Sequence, residues 1–159
     1  MSRRHSNDEA SARKDLANVV GTWCLVSMVR PDSAAGSNLY WDDRPTGLII
    51  YTGDGHMAAQ LYDSRRPRLG VRWELASLEA ARTAYAGLIT YFGTYSVDRA
   101  SATITHNVQG AMAPDWIGST LVRAYRFLTP DRLELRIVTD GTGQRVANGT
   151  IVVWDRVCS

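Results

Sequence analysis

The 159-residue sequence lacks any long hydrophobic run, since no stretch of about 18 consecutive apolar residues occurs in it. A membrane-spanning helix is therefore not expected. The N-terminal segment, residues 1–15, is polar and lacks the apolar centre of a secretory signal. These absences predict a cytoplasmic protein with no membrane partner.

Cysteine is also scarce, with Cys24 and Cys158 the only two. In a cytoplasmic chain both are expected to be reduced. The alternative is a disulfide between them, because they lie on the first and last predicted strands, which are neighbours if a barrel closes. Two cysteines and three scattered histidines give no metal-ligand spacing, so no metal and no other cofactor is expected.

Charge of one sign does not dominate either: the formal net charge is +2, and Lys14 is the only lysine. No basic run with interleaved aromatic residues occurs, so nucleic-acid binding is not expected. A hydrophobic content of 45% is enough for one core. We expect residues 1–14 to form a disordered tail and residues 15–159 a single domain.

Between residues 91 and 127, three strand-like runs alternate with a period of two. One face of each run is short and polar, as expected of a solvated sheet face. The other face is apolar and aromatic, yet it carries one imidazole and one guanidinium that must be satisfied inside. Its members are Tyr91, Gly93, Tyr95, Val97, Ala102, Ile104, His106, Val108, Leu121, Arg123, Tyr125 and Phe127.

Five further strands and one helix complete the predicted fold. The first strand is Gly21–Val29, with Trp23, Leu25, Ser27 and Val29 on one side. A hairpin turns at residues 53–55, and its inner face cannot be identified because both faces are apolar. The helix runs from Leu75 to about Leu88 with Ser77 as N-cap. The expected fold is all-β: an eight-stranded antiparallel up-and-down barrel, wide enough for one small ligand, with the helix capping an end.

The lengths of the turns predict how the strands pair. A turn at residues 98–101 places Gly93 opposite His106, which leaves room beside the imidazole. The next connection places His106 near Arg123, and the turn at residues 129–131 places Tyr125 near Leu135. All three pairings keep the apolar face continuous.

Several segments resemble a known family. Gly21-Thr22-Trp23 on the first strand and Trp154-Asp155-Arg156 on the last are similar to the lipocalin signature, in which the arginine stacks on the tryptophan. From Val20 to Val157, the segments GTWCLVS, LIIYTGDGHMAAQL, YFGTYSVD and ITHNVQG resemble the bacterial and fungal lipocalin-like domain family. The resemblance implies a barrel with a small-molecule cavity. Several lipocalin-fold proteins of natural-product pathways are cofactor-free cyclases or isomerases, whereas the secreted lipocalins carry a signal sequence that is not seen here.

The candidate catalytic residues are His106, Arg123 and Tyr95. Burial and Arg123 both disfavour protonation of His106, and a neutral imidazole can act as a general base. Arg123 and the phenols can stabilise a developing enolate or alkoxide. The alternative is a buried polar network without function. The candidate ligand-binding residues are Tyr91, Tyr125, Ile104, Val108, Leu121, Trp116 and Trp41.

Three hypotheses for function follow. The first is a cofactor-independent cyclase, isomerase or dehydratase acting on a polyketide-like or aromatic metabolite, and the second is a binding or carrier protein for a hydrophobic small molecule. The third is an interaction module with a filled barrel. The expected partner is a hydrophobic small molecule with an anionic or carbonyl group, and the protein is expected to be a monomer or homodimer. The sides on which His56 and Asp155 lie remain open.

Overall fold

The computed structural model describes residues 18–31, 41 and 45–157. Within them, eight antiparallel strands close into a barrel in which each strand pairs with its neighbour in sequence and the last pairs with the first. The predicted eight-stranded up-and-down barrel is confirmed. The predicted N-terminal tail, residues 1–14, and Cys158 lie outside the described residues. The strands are β1 (Gly21–Val29), β2 (Pro45–Tyr51), β3 (His56–Asp63), β4 (Leu88–Asp98), β5 (Thr103–Ala111), β6 (Thr120–Thr129), β7 (Arg132–Ile137) and β8 (Ile151–Arg156).

The connection between β3 and β4 contains the helix α1 (Leu78–Ala86), which follows a short 3-10 turn (Trp73–Leu75). Ser77 is the N-cap as predicted, and its side chain accepts a hydrogen bond from the Ala80 N–H at 3.2 Å. The helix starts later than predicted, and it buries none of its residues. A second 3-10 turn (Pro114–Trp116) lies between β5 and β6. Within the described ranges, no helix is long and apolar enough to span a membrane.

The inward faces of β4, β5 and β6 are those that the alternation predicts, and His106 and Arg123 are both buried on them. The hairpin of β2 and β3 turns Ile49, Tyr51 and Met57 inward and exposes Leu48. The prediction for β1 is wrong in its second half. A bulge between Leu25 and Ser27 shifts the alternation by one residue, so that Met28 is buried in place of Ser27 and Val29.

Two of the three predicted registers are wrong, each by two residues. Tyr95 pairs with His106, because residues 99–102 form the loop between β4 and β5, whereas the predicted register left only residues 99 and 100 unpaired. Ala102, which the alternation placed on the inward face, is the last residue of this loop and has a φ of 50°. His106 then pairs with Leu121, and Arg123 pairs with Ile104. A shift of two residues leaves every side chain on the same face, so the faces could be correct while the registers were not. The third register is confirmed, since Tyr125 pairs with Leu135.

The two ends of the barrel differ in the lengths of their connections. We call one the sealed end: its connections are the short segments 52–55, 99–102 and 130–131. There the Trp23 indole N–H donates to the Val19 carbonyl at 2.9 Å, and the Arg156 guanidinium carbon lies 4.1 Å from the indole centroid. Gly21, with a φ of 141°, lets Arg156 approach the backbone. We call the other the open end: β1 ends and β2 begins there, and its connections include the longer segments 64–87, 112–119 and 138–150.

Candidate functional site

A cavity of about 420 Å³ occupies the barrel toward the open end. Most of its wall is apolar and comes from the inward faces of the strands, while residues 140 and 141 and 146–150 of the β7–β8 connection line its mouth. Such a volume with few polar groups is typical of a small-molecule site. The lining strand residues are Met28, Ile49, Ala59, Leu61, Ile89, Tyr91, Arg123, Leu135, Ile137, Val152 and Trp154, joined by Arg30 and Trp116 from the connections.

His106 lies behind this wall and is completely buried. Its Nε2 is 2.8 Å from the Tyr51 hydroxyl oxygen, and its Nδ1 is 3.1 Å from the Tyr91 hydroxyl oxygen. Burial, and secondly the Arg123 guanidinium, hold the pKa of the imidazole well below its usual value. The ring is therefore neutral at pH 7, with one nitrogen donating and the other accepting a hydrogen bond.

Both phenols bonded to His106 are protonated at neutral pH. Burial raises the pKa of Tyr51 well above its usual value, and the neighbouring Tyr91 adds to that rise. Burial also raises the pKa of Tyr91, although the Arg123 charge and its hydrogen bond to Tyr91 oppose the rise. Tyr51, His106 and Tyr91 are thus joined by hydrogen bonds in that order, and only Tyr91 contributes to the cavity wall. The arrangement can thus connect a ligand at Tyr91 with a proton acceptor that the ligand does not touch.

Arg123 brings a cation into the wall. It is 8% exposed, and its Nη1 donates to the carbonyl oxygens of Thr139 at 2.8 Å and Val122 at 3.1 Å. The ion pairs of the described residues include none to Arg123. Asp140 lines the cavity, but its Oδ1 accepts hydrogen bonds from the N–H groups of Thr142 and Gln144 within its own loop. A buried cation satisfied only by neutral groups favours an anionic or strongly polar ligand.

The structure brings together four of the predicted site residues. Arg123, Tyr91 and Trp116 line the cavity, and His106 lies directly behind Tyr91. The Trp116 ring packs edge-on against Tyr91 with 6.0 Å between centroids. A Cβ on Gly141 would overlap this indole, so the absence of a side chain there allows the β7–β8 connection to lie against it.

The other predicted site residues lie elsewhere. The Tyr95 hydroxyl donates to the Thr52 carbonyl at 2.9 Å, near the sealed end, and Tyr125 packs against Phe127 with 6.0 Å between centroids. Trp41 lines a separate groove outside the barrel, beside α1. Three apolar residues are buried in the core but are not part of the cavity wall: Ile104, Val108 and Leu121.

The prediction that Gly93 lies opposite His106 and leaves room beside the imidazole is wrong. Gly93 pairs with Val108, and a Cβ at position 93 would overlap the Asn107 carbonyl. The glycine therefore serves the close approach of β5 at a bulge. His106 is instead enclosed by the tilted rings of Tyr51 and Tyr91.

Sequence reasoning missed Tyr51, the second partner of His106. Tyr51 lies on β2, which is apolar on both faces, so the alternation did not identify the inward side. In the closed barrel, Tyr51 faces His106 of β5 across the interior. The two open questions of orientation are resolved as well. Asp155 points outward and binds Arg132, with 2.6 Å from Nε to Oδ1, and His56 is exposed beside Asp54.

In the described part of the chain, no three His, Cys, Asp or Glu side chains lie close enough together to hold a metal ion. The polar side chains gathered at the cavity wall and directly behind it include the Tyr91 phenol, the Arg123 guanidinium and the His106 imidazole. These groups can exchange protons and bind oxygen atoms, which is the equipment of acid–base chemistry.

The match to one family model agrees with this architecture. A family model described as a lipocalin-like domain matches residues 20–157. Among solved structures, a redesigned beta barrel is 10% identical, with a TM-score of 0.45, over 89% of this chain and 94% of that chain. No curated protein matches the sequence significantly.

Proposed function

The chain belongs to the lipocalin-like domain family, and on that premise we propose that it binds a hydrophobic small molecule and transforms it by cofactor-free acid–base catalysis. The fold supplies a cavity of the size and apolar character that such a ligand needs. One observation supports the catalytic part of the proposal: the Tyr91 hydroxyl, in the cavity wall, is hydrogen-bonded to the neutral, buried His106 imidazole and lies beside Arg123.

The polar groups indicate the chemistry of the ligand. An anionic or carbonyl oxygen is expected at Arg123, whose guanidinium offers N–H donors on the part of the wall that it shares with Tyr91. The apolar remainder of the wall suits a polyketide-like or aromatic body. Such a molecule has acidic C–H groups next to its carbonyl.

The proposed step is a proton transfer within the ligand. Tyr91 takes a proton from a carbon next to the carbonyl while its own hydroxyl proton passes to Nδ1 of His106, and the resulting enolate is stabilised by Arg123. The low pKa of the His106 imidazole makes the imidazolium short-lived, so the proton returns through Tyr91 to another atom of the ligand. The ligand neither gains nor loses atoms or electrons overall, so the reaction is an isomerisation or a cyclisation.

Tyr91→Phe tests this proposal. Candidate carbonyl-bearing metabolites are incubated with the protein and the products are followed by mass spectrometry, in water and in D₂O. Turnover by the Phe variant should fall by about 100-fold or more, with ligand affinity almost unchanged. Tyr95→Phe is the matched control, because its hydroxyl binds the Thr52 carbonyl at the sealed end. Equal turnover by wild type and Tyr91→Phe would refute the assignment.

A carrier without catalysis is the second candidate. It is favoured by the complete burial of His106, which prevents direct contact between the imidazole and a ligand. In that case a ligand binds, no product forms, and Tyr91→Phe and His106→Asn change only affinity. Calorimetry and mass spectrometry on the same samples separate the two candidates.

A further inference from the structure

Among the described residues, most of the large apolar side chains that are more than half exposed lie at the open end. In the described ranges, there are six of them: Val71 (55%), Trp73 (75%), Leu75 (73%), Leu78 (86%), Phe92 (56%) and Ile117 (54%). Only Phe92 lies on the barrel wall, and the others belong to the β3–β4 and β5–β6 connections beside the cavity mouth. We call Val71, Trp73, Leu75 and Leu78 the apolar ridge. So many exposed apolar side chains in eight residues mark an interaction surface.

The segment that contains the apolar ridge carries a net positive charge. Residues 63–82 contain five arginines and three carboxylates, which gives a net charge of +2. Two of the carboxylates are already paired inside this segment, Asp63 with Arg65 at 3.1 Å and Glu74 with Arg72 at 3.3 Å. Of the remaining arginines, Arg66 lies over the Tyr62 ring at 5.4 Å and near Asp63, whereas Arg68 and Arg82 are exposed. This charge is complementary to an anionic surface.

The shape of the apolar ridge favours a lipid surface over a folded partner. Its side chains project from a 3-10 turn and from the first turn of α1, and α1 buries none of its own residues. Projecting Trp and Leu side chains flanked by arginine can enter the boundary between headgroups and acyl chains. A rigid protein partner would instead have to provide a matching pocket for each.

The expectation of no membrane partner rested on the missing membrane-spanning run and signal, which do not bear on binding at a membrane surface. We propose that the apolar ridge docks the open end of the barrel on an anionic membrane surface. Trp73, Leu75 and Leu78 enter the interface, and the exposed Arg68 and Arg82 face the lipid phosphates. The cavity mouth lies at the same end, so a hydrophobic ligand could pass between bilayer and barrel over a short distance. This docking is independent of whether the chain is a catalyst or a carrier.

Vesicle flotation with the full chain tests the proposal. Vesicles of phosphatidylcholine with phosphatidylglycerol should bind the protein, vesicles of phosphatidylcholine alone should bind it less, and added salt should weaken binding. The double variant Trp73→Ser/Leu75→Ser should reduce the partition coefficient roughly tenfold or more. Val26→Ser and Leu48→Ser are matched controls, since these side chains are 40% exposed on the barrel wall. Arg68→Gln/Arg82→Gln should remove the preference for anionic lipid.

The position of Trp73 gives a second readout. Brominated lipids should quench its emission, and Trp73→Phe should abolish most of that quenching. Because the substituted side chains are exposed, circular dichroism of the variants should match the wild type. Absence of vesicle binding, or binding that survives Trp73→Ser/Leu75→Ser, would overturn the proposal. A dimer that dissociates on the same substitution would also overturn it, because a second copy would then cover the apolar ridge.

Discussion

At the sealed end the Trp23 indole is 0% exposed, binds the Val19 carbonyl and is covered by Arg156. At the open end the Trp116 indole stands in the cavity wall against Tyr91 and the backbone of Gly141. The same residue type thus fills one end of the barrel and borders an empty space at the other. Short turns allow dense packing at the first, and long connections leave a mouth at the second.

Trp23→Ala should have the largest effect on stability. It removes a fully buried indole with its hydrogen bond and cation–π contact, and the unfolding free energy should fall by about 3–5 kcal/mol. Urea denaturation followed by circular dichroism measures this. If the alanine variant does not fold, Trp23→Phe should give a smaller loss in the same direction. A loss below about 1 kcal/mol would show that the sealed end is not the stabilising part of the barrel.

Arg123→Met tests the polar part of the cavity. A ligand carboxylate should lose about 1.5–3 kcal/mol of binding free energy, whereas its neutral amide should lose much less. The unliganded protein should lose only about 1 kcal/mol of stability, because an apolar chain of similar length replaces the buried cation while the Thr139 carbonyl loses its Arg123 donor. Calorimetry with the two ligands measures the difference. Arg126→Met is the control, since Arg126 lies on the same strand but binds Glu134 outside the barrel, and an equal loss in both variants would contradict the assignment.

His106 should make stability depend on pH. Its folded-state pKa is depressed below the ordinary value of 6.5, so the unfolded chain binds the proton more readily. The neutral His106 contributes fully to the unfolding free energy above pH 6.5. As the pH falls from 6.5 toward the folded-state pKa, the unfolding free energy decreases by about 1.4 kcal/mol per pH unit. In urea titrations at several pH values, His106→Asn should show a shallower slope than the wild type. Equal slopes in the wild type and in His106→Asn would argue against a neutral buried imidazole.

The sequence was sufficient to predict the barrel and its inward faces, because alternation depends only on the period of the strand. His106 and Arg123 were identified as buried polar groups for that reason. The registers were not predictable, because a turn longer by two residues preserves the alternation, as the loop ending at Ala102 does. Tyr51 was missed because it reaches His106 across the barrel, at a sequence separation of 55 residues. Local patterns carry no information about such a contact until the closed sheet is known.

Trp116→Ala is the counterpart of the Trp23 variant and should have the smallest effect on stability. Trp116 is only partly buried, and the unfolding free energy should change by about 1 kcal/mol or less. The indole supports the β7–β8 connection over the mouth, so its removal should instead raise the ligand dissociation rate a few-fold. Stopped-flow competition measures that rate, with Trp73→Ala as a control at the same end but outside the cavity wall. If Trp116→Ala destabilised the protein as much as Trp23→Ala, the open end would be part of the packed core. The contrast between a filled and a hollow end would then be wrong.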